Sequence, residues 1–339
     1  MFSKSDIYRR ISEPVIRVAI MIATKLICID GISGSGKSTT SQRLWLHLRK
    51  NGHDARWCYE HGPDCPIWRG AERFRLTESD ISDPAIVHEL VTSRWRTLAD
   101  ELAAGDTIAV MESSLLHSTV GIMLAMDFDQ TAILNCLAEV NRLVKALSPV
   151  SIYLYANDVG VALRAICDER RHDQFEAPLI ELLSTTRYAK TRGLAGFDGV
   201  VRFFRHCREI TDLAFSRLEF PKLAIEYSAR DWTSYERQIT DFIGLTEMRP
   251  MSGHVDRPSR FVGRYKDPAS DAECVVAADE KGLYLDDARC TRLMNDHGNT
   301  FYVNGVWLEI SFENDSGRTF DRIKLNGHPV DGSPVWMRA

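Results

Sequence analysis

Residues 25–40 read KLICIDGISGSGKSTT, and within them Gly31-x-x-x-x-Gly36-Lys37-Ser38 has the spacing of a phosphate-binding loop. Glycines at 31, 34 and 36 let the backbone curl until successive N–H groups point inward at phosphate oxygens. The Lys37 ammonium would neutralise the β- and γ-phosphates, and the Ser38 hydroxyl would ligate Mg²⁺. The full set of phosphate-cradle candidates is Gly31, Ser33, Gly34, Ser35, Gly36, Lys37, Ser38 and Thr39. A helix starting near Lys37 would aim its positive dipole end at the same anion.

Two carboxylates stand where they could serve that loop. Glu60 ends a strand-like run, His53 to Tyr59, and opens Glu60-His61-Gly62-Pro63-Asp64-Cys65-Pro66-Ile67-Trp68. Ligands bind at the C-terminal ends of strands in open α/β sheets. Glu60 could therefore accept the proton of an attacking hydroxyl, help hold Mg²⁺-bound water, or be a solvated loop residue. His61 is a second candidate base, by the residue type that serves in that role. Glu112 ends the run Thr107 to Met111 and is placed to organise Mg²⁺ or an acceptor, with a structural capping role as the alternative. Arg94, on a helix between the two, could reach the cleft or point to solvent. Arg164, Arg170 and Arg171 follow a fourth apolar run. Arginines that close over a transferred phosphoryl group stabilise its charge, but the same residues would also suit an ordinary charged helix face. Arg187, Lys190, Arg192, Arg202, Arg205 and Arg208 extend this basic stretch.

The elements that must position these residues follow from periodicity and punctuation. Short apolar runs at Leu26–Ile29, Thr107–Met111, Val150–Tyr155 and Lys222–Tyr227 suit buried parallel strands. Helices are expected from Lys37 to the Asn51-Gly52 stop, and from Asp83-Pro84 to Gly105 with Ile86, Leu90, Trp95, Leu98 and Leu102 on one face. Two more are expected, one through Val159, Ala162, Leu163 and Ile166, and one from Asp231-Trp232 to Gly244. After a Pro-, Gly- and Ser-rich linker over 247–260 the style changes. Phe261–Tyr265, Glu273–Ala277, Gly282–Leu285, Thr300–Val303, Val306–Phe312 and Arg322–Leu325 read as six short strands between Gly, Asn and Asp turns.

Composition limits the function classes. The 339-residue chain is 44% hydrophobic and 26% charged, which excludes wholesale disorder, and its net charge of -5 argues against a globally basic nucleic-acid binder. No apolar run approaches the roughly 18–20 residues that span a bilayer. The 8 cysteines are scattered without a C-x-x-C pair, as suits reduced thiols in a cytoplasmic protein rather than a zinc site.

The ordered pattern resembles the thymidylate kinase family of phosphotransferases over roughly residues 24–246. Five pieces carry the resemblance: Ile29 to Thr39; Glu60-His61-Gly62-Pro63-Asp64-Cys65-Pro66-Ile67; Val110-Met111-Glu112-Ser113-Ser114; Ile152-Tyr153-Leu154 with Val161-Ala162-Leu163; and Asp173-Gln174-Phe175-Glu176. It implies a P-loop NTPase-type α/β fold, a parallel sheet flanked by helices, with ATP and Mg²⁺ as cofactors. It also implies a small-molecule acceptor (a nucleotide, a nucleoside or another hydroxylated metabolite), a homodimer, and neither membrane nor large nucleic acid as partner. In this reading Lys37, Glu60, Glu112, Arg170 and Arg171 are catalytic. Glu60, His61, Arg94 and Glu112 meet the acceptor, and Ser38 and Glu112 hold the metal.

The sequence departs from the family at three positions where arginine is expected: Tyr59, Ser113 and Gln174. Arginines at the first two would grip an acceptor's phosphate, so their loss weakens a thymidylate assignment. The stretch Glu60 to Trp68 is also similar to deoxynucleoside kinases, in which such a Glu is the base for a sugar hydroxyl. The expected organisation is an extension over 1–23, in which Met21 offers an alternative start; a kinase-like unit over 24–246; the linker; and a small antiparallel β barrel or sandwich over 261–339. The β-rich part is loosely similar to small β-domains appended to some serine hydrolases. The alternative function is a nucleotide-dependent regulatory protein whose β-domain engages a partner.

Overall fold

The structure is a computed structural model that describes residues 23–62, 65–68, 76, 81–171, 174–245, 255–270, 272–287, 291–315, 317–327 and 334–339. Most of the N-terminal extension, the core of the linker, and His172 and Asp173 therefore lie outside the described residues.

Five parallel strands form the first sheet: β1 (Leu26–Gly31), β2 (Ala55–Cys58), β3 (Ile108–Glu112), β4 (Val150–Tyr155) and β5 (Lys222–Glu226), in the order β2-β3-β1-β4-β5. β1, β3 and β4 are almost wholly buried because helices cover both faces. The alternation of β1 separates the layers. Leu26 and Cys28 pack with one core cluster, Ile27 and Ile29 with the other.

The second layer holds two helices beside the phosphate loop, α1 (Lys37–Lys50) and the chain-order last helix, Trp232–Ile243. The opposite layer holds α2 (Pro84–Ala104), α3 (His117–Ala125), α4 (Gln130–Val144), α5 (Val159–Glu169), α6 (Glu176–Thr185), α7 (Arg187–Arg192) and α8 (Gly196–Ser216); Trp232–Ile243 is thus α9. α2 starts as its sequence suggests: Asp83 caps it through the Ala85 N–H at 2.9 Å, and Pro84 occupies the first turn. Its buried stripe, however, is Val87, Val91, Trp95, Leu98 and Leu102, and Ile86 is exposed. Trp95, Leu98 and Leu102 are buried as expected, and only the first two positions of the expected face, Ile86 and Leu90, are one residue out of phase, because 87, 91 and 95 keep a four-residue step that 86, 90 and 95 do not.

The C-terminal sheet has eight antiparallel strands rather than six: β6 (Gly263–Lys266), β7 (Glu273–Asp279), β8 (Gly282–Leu285), β9 (Leu293–His297), β10 (Thr300–Val303), β11 (Leu308–Asp315), β12 (Phe320–Gly327) and β13 (Val335–Arg338). Their order is β8-β7-β6-β13-β12-β11-β10-β9. A bridge between Tyr284 and Arg292 brings the ends together, so the sheet is a nearly closed barrel. Phe261, Phe301, Phe312 and Phe320 fill its interior, with ring centroids 4.8–5.8 Å apart in the pairs Phe261–Phe320 and Phe312–Phe320. Among the described residues no helix is long and apolar enough to cross a membrane.

The barrel lies against α1. Tyr302 meets Trp45 edge to face at 4.9 Å, and Met294 and Tyr302 belong to the same apolar cluster as Trp45 and Leu48. Arg49 pairs with Asp296 at 3.1 Å, and Lys50 Nζ donates to the Asn295 carbonyl at 2.9 Å. Every residue of α1 is consequently buried or half-buried.

Candidate functional site

The phosphate loop leaves the end of the middle strand, β1, and enters α1 through Gly36. Gly36 caps the helix in the left-handed region (φ 80°), and a Cβ there would lie 2.6 Å from the Trp232 ring. At Gly31 the obstacle is close approach: a Cβ would meet the Leu154 carbonyl at 2.6 Å. Thr40 N–H donates to the Gly36 carbonyl at 2.9 Å, the first bond of the helical ladder. The N–H groups of Lys37, Ser38 and Thr39 thus stand ahead of that ladder, where an anion can use them. Ser35 is completely buried, and its Oγ has no hydrogen-bond partner.

Ser38 Oγ donates to Glu112 Oε1, so the helix start and the end of β3 converge on two oxygen donors. Parallel pairing sets this up, because Glu112 is in register with Ile29 of β1. Glu112 is wholly buried. A hydroxyl and a carboxylate suit Mg²⁺, which takes one or two protein oxygens and completes its shell with water and phosphate oxygens. Among the described residues no cluster of three or more His, Cys, Asp or Glu side chains could hold a metal by itself.

Glu60 follows β2 and faces the loop from the other side. Its Oε1 lies 3.8 Å from Lys37 Nζ and 3.1 Å from His61 Nε2. Its side chain is mostly buried, whereas that of His61 is 41% exposed. A stack of rings leads to this carboxylate from the barrel: Tyr302 on Trp45, Trp45 on Trp57 (6.0 Å), Trp57 on Tyr59 (5.1 Å) and Tyr59 on His61 (5.4 Å). Trp57 Nε1 also donates to Ser41 Oγ of α1 at 2.9 Å, which ties β2 to the helix.

Asp30 is a site residue that sequence reasoning did not single out. It is completely buried beside the loop, and its Oδ1 accepts from the N–H groups of Leu116 (3.0 Å) and His117 (2.9 Å) at the start of α3. Its Oδ2 has no hydrogen-bond partner. Burial pushes its carboxyl up to about 6, against the opposing pull of the two backbone N–H groups and Lys37.

A cavity of about 1120 Å³ opens beside the loop; Asp30, Ser35 and Glu112 lie behind its wall rather than in it. Ser33, Gly34, Gly36, Lys37, Ser38, Thr39, Glu60 and His61 line it, as do Trp232 and Tyr235 of α9. Away from the loop residues its wall is largely apolar, with Ile122, Ala125, Leu179, Leu183, Phe203 and Phe204 beside His117, Ser118 and Thr186. Arg170 lines the cavity at the end of α5, with its guanidinium 4.5 Å over the Phe175 ring. Arg171 points away and pairs with Asp168 at 2.9 Å. Arg94 is not a lining residue. Its Nη1 donates to the Ile67 carbonyl at 2.7 Å, so it braces the segment after Glu60.

Arg164 and half of the downstream basic stretch are turned to carboxylates. Arg164 pairs with Glu176 (2.8 Å), Arg192 with Asp127, Arg205 with Asp158 (3.9 Å) and Arg208 with Asp212 (2.5 Å). The sequence reading also missed Trp232, His117 and the 304–306 turn of the barrel as wall residues. Trp232 had one signal, an aromatic at the N-terminus of the helix after the last parallel strand.

No family model matches the chain, and no curated protein matches it. Among solved structures, thymidylate kinase from Candida albicans is similar at 12% identity, over 64% of this chain and 91% of that one, with a TM-score of 0.38.

Proposed function

We propose that this protein is an ATP- and Mg²⁺-dependent phosphotransferase that acts on the hydroxyl of an uncharged small molecule. The observation that carries the reading is the convergence of three elements on one cavity. The loop and α1 start supply anion-binding N–H groups and Lys37, Ser38 meets Glu112, and Glu60 faces Lys37 across 3.8 Å.

In this reading the N–H groups of the loop and Lys37 hold the phosphates and neutralise charge on the transferred group. Ser38 and Glu112 would hold Mg²⁺, which would supply further neutralisation of phosphate charge. Glu60 accepts the proton from the acceptor hydroxyl as its oxygen bonds to the γ-phosphorus and the bond to ADP breaks. Lys37 and His61 flank Glu60 at 3.8 and 3.1 Å. Arg170 covers the phosphoryl group from the α5 side. Trp232 offers a face for the base.

The acceptor class follows from the cavity wall away from the loop. Among the described lining residues the lysines and arginines are Lys37, Arg43 and Arg170. Lys37 belongs to the loop, and Arg43 bonds Glu236. The largely apolar wall would bury a hydrophobic body and leave an acceptor phosphate poorly compensated. A nucleoside or another hydroxylated compound fits better than a nucleotide.

The test is acceptor-dependent ADP release across a panel of nucleosides, nucleoside monophosphates and uncharged hydroxylated metabolites, with Lys37→Ala beside the parent. Turnover on an uncharged acceptor, lowered by on the order of 10³-fold in the variant, supports the reading. Stoichiometric ATP binding with no turnover on any acceptor would favour a nucleotide-dependent binder instead.

A further inference from the structure

The barrel reaches the cavity through one feature, the β10–β11 turn. Val306 N–H donates to the Val303 carbonyl at 3.2 Å, and Gly305 takes the positive φ (76°) at the third position of this turn. The turn is seated on α1 by Gln42, which is completely buried. Gln42 Nε2 donates to the Val303 and Val306 carbonyls at 2.9 and 2.8 Å, and its Oε1 accepts from Gly305 N–H at 2.7 Å. A Cβ on Gly305 would lie 3.0 Å from Thr39 Oγ1. The turn is thus held against the second residue beyond Lys37.

This seat places Asn304, Gly305 and Val306 in the cavity wall. Asn304 N–H is used, donating to the Arg292 carbonyl at 2.9 Å. Its side-chain Oδ1 is buried and has no hydrogen-bond partner. A buried acceptor without a donor costs free energy, so a donor supplied by a ligand would be favoured. Phosphate oxygens are acceptors and cannot supply it. The donors of a nucleoside triphosphate lie in its nucleoside half: the sugar hydroxyls and the exocyclic amino group. Asn304 shares the cavity with Lys37, Thr39, Thr40, Arg43 and Trp232.

We infer that the C-terminal barrel completes the nucleotide site, and that Asn304 accepts a hydrogen bond from the nucleoside half of the bound triphosphate. The inference rests on the phosphate loop holding a nucleoside triphosphate. It makes the barrel part of the site rather than a detached partner-binding module.

The experiment is calorimetric titration of the full chain in Mg²⁺ with ATP, 2′-deoxy-ATP, 3′-deoxy-ATP, inosine triphosphate and inorganic tripolyphosphate. Asn304→Ala should bind ATP about five- to tenfold more weakly and tripolyphosphate unchanged. The nucleoside group involved is the one whose removal costs the parent affinity but costs the variant nothing. Gly305→Ala, which pushes the turn off Thr39, should reproduce the ATP loss and serves if Asn304→Ala does not fold. Equal ATP affinity in variant and parent overturns the inference while the phosphate-loop reading stands. An equal loss for ATP and tripolyphosphate also overturns it, since the residue would then act on the loop. A parent that binds neither ligand removes the phosphate-loop reading itself.

Discussion

Asp30→Asn tests the electrostatics of the phosphate loop. The Asp30 carboxyl has an ordinary value of 3.8, and its enclosure raises this to about 6. A raised folded value means that the native chain holds more protons than the unfolded chain between those limits. The contribution of Asp30 to stability is therefore fully present below about pH 4 and is lost as pH rises through about 6. At 1.36 kcal/mol per unit, a shift of about two units corresponds to about 3 kcal/mol. No solvent screening discounts it, because the side chain is completely buried. Asparagine retains an oxygen for the Leu116 and His117 N–H groups and carries no charge at any pH. The difference in unfolding free energy between variant and parent should therefore shift by about 2 kcal/mol in favour of the variant between pH 4 and pH 7.5. Urea denaturation followed by tryptophan fluorescence at four pH values measures it, and titrations of groups not coupled to Asp30 cancel in the difference. A difference constant to within about 0.5 kcal/mol would refute the reasoning, because it would mean that folding leaves the Asp30 proton affinity unchanged.

Glu60→Gln should lower kcat on a hydroxyl acceptor by about 10²–10⁴-fold with ATP affinity changed only a few-fold; a loss under about tenfold in steady-state kinetics would remove Glu60 as the base. Gln42→Ala should cost about 2–4 kcal/mol in chemical denaturation, since it strands the Val306 carbonyl and the Gly305 N–H at the barrel seat and leaves the Val303 carbonyl with the Val306 N–H alone; an effect below about 0.5 kcal/mol would show that water replaces the glutamine without penalty.

The parts of the site that depend on local chemistry were legible in the sequence. A buried strand, a glycine turn and a helix start are all specified within residues 26–50, and the structure places β1, the loop and α1 there. The acids at the tips of β2 and β3 were legible for a similar reason: Glu112 ends an apolar run, and Glu60 ends a strand-like run that follows the Asn51-Gly52 turn. What escaped notice depends on distant contacts. Asp30 matters because its partners lie 86 and 87 residues away, and the 304–306 turn because Gln42 lies 263 residues from Gly305. α3 gave no periodic signal, since it is buried on nearly every side. α8 did carry one. Val200, Phe203, Phe204, Cys207 and Ile210 form a buried stripe beneath the arginines, and attention to the charges hid it. β9 was missed because Asn295, Asp296 and His297 are polar, yet the first two bind α1.

The composition of α1 explains why a barrel belongs beside the phosphate loop. The helix carries Gln42, Trp45, Arg49 and Lys50 on a face that a three-layer sandwich would leave to water. Each meets the barrel: Gln42 through three hydrogen bonds, Trp45 through Tyr302, Arg49 through Asp296 and Lys50 through Asn295. A phosphate loop works by keeping its N–H groups aimed, so whatever immobilises the first turns of α1 also preorganises the anion site. The Trp45–Trp57–Tyr59–His61 stack carries the same constraint across to the Glu60 side. Displacing the barrel would then loosen both walls of the cavity at once. Barrel-seat substitutions such as Gln42→Ala should accordingly weaken triphosphate binding and acceptor turnover together, whereas a change confined to Asn304 should affect the nucleotide alone.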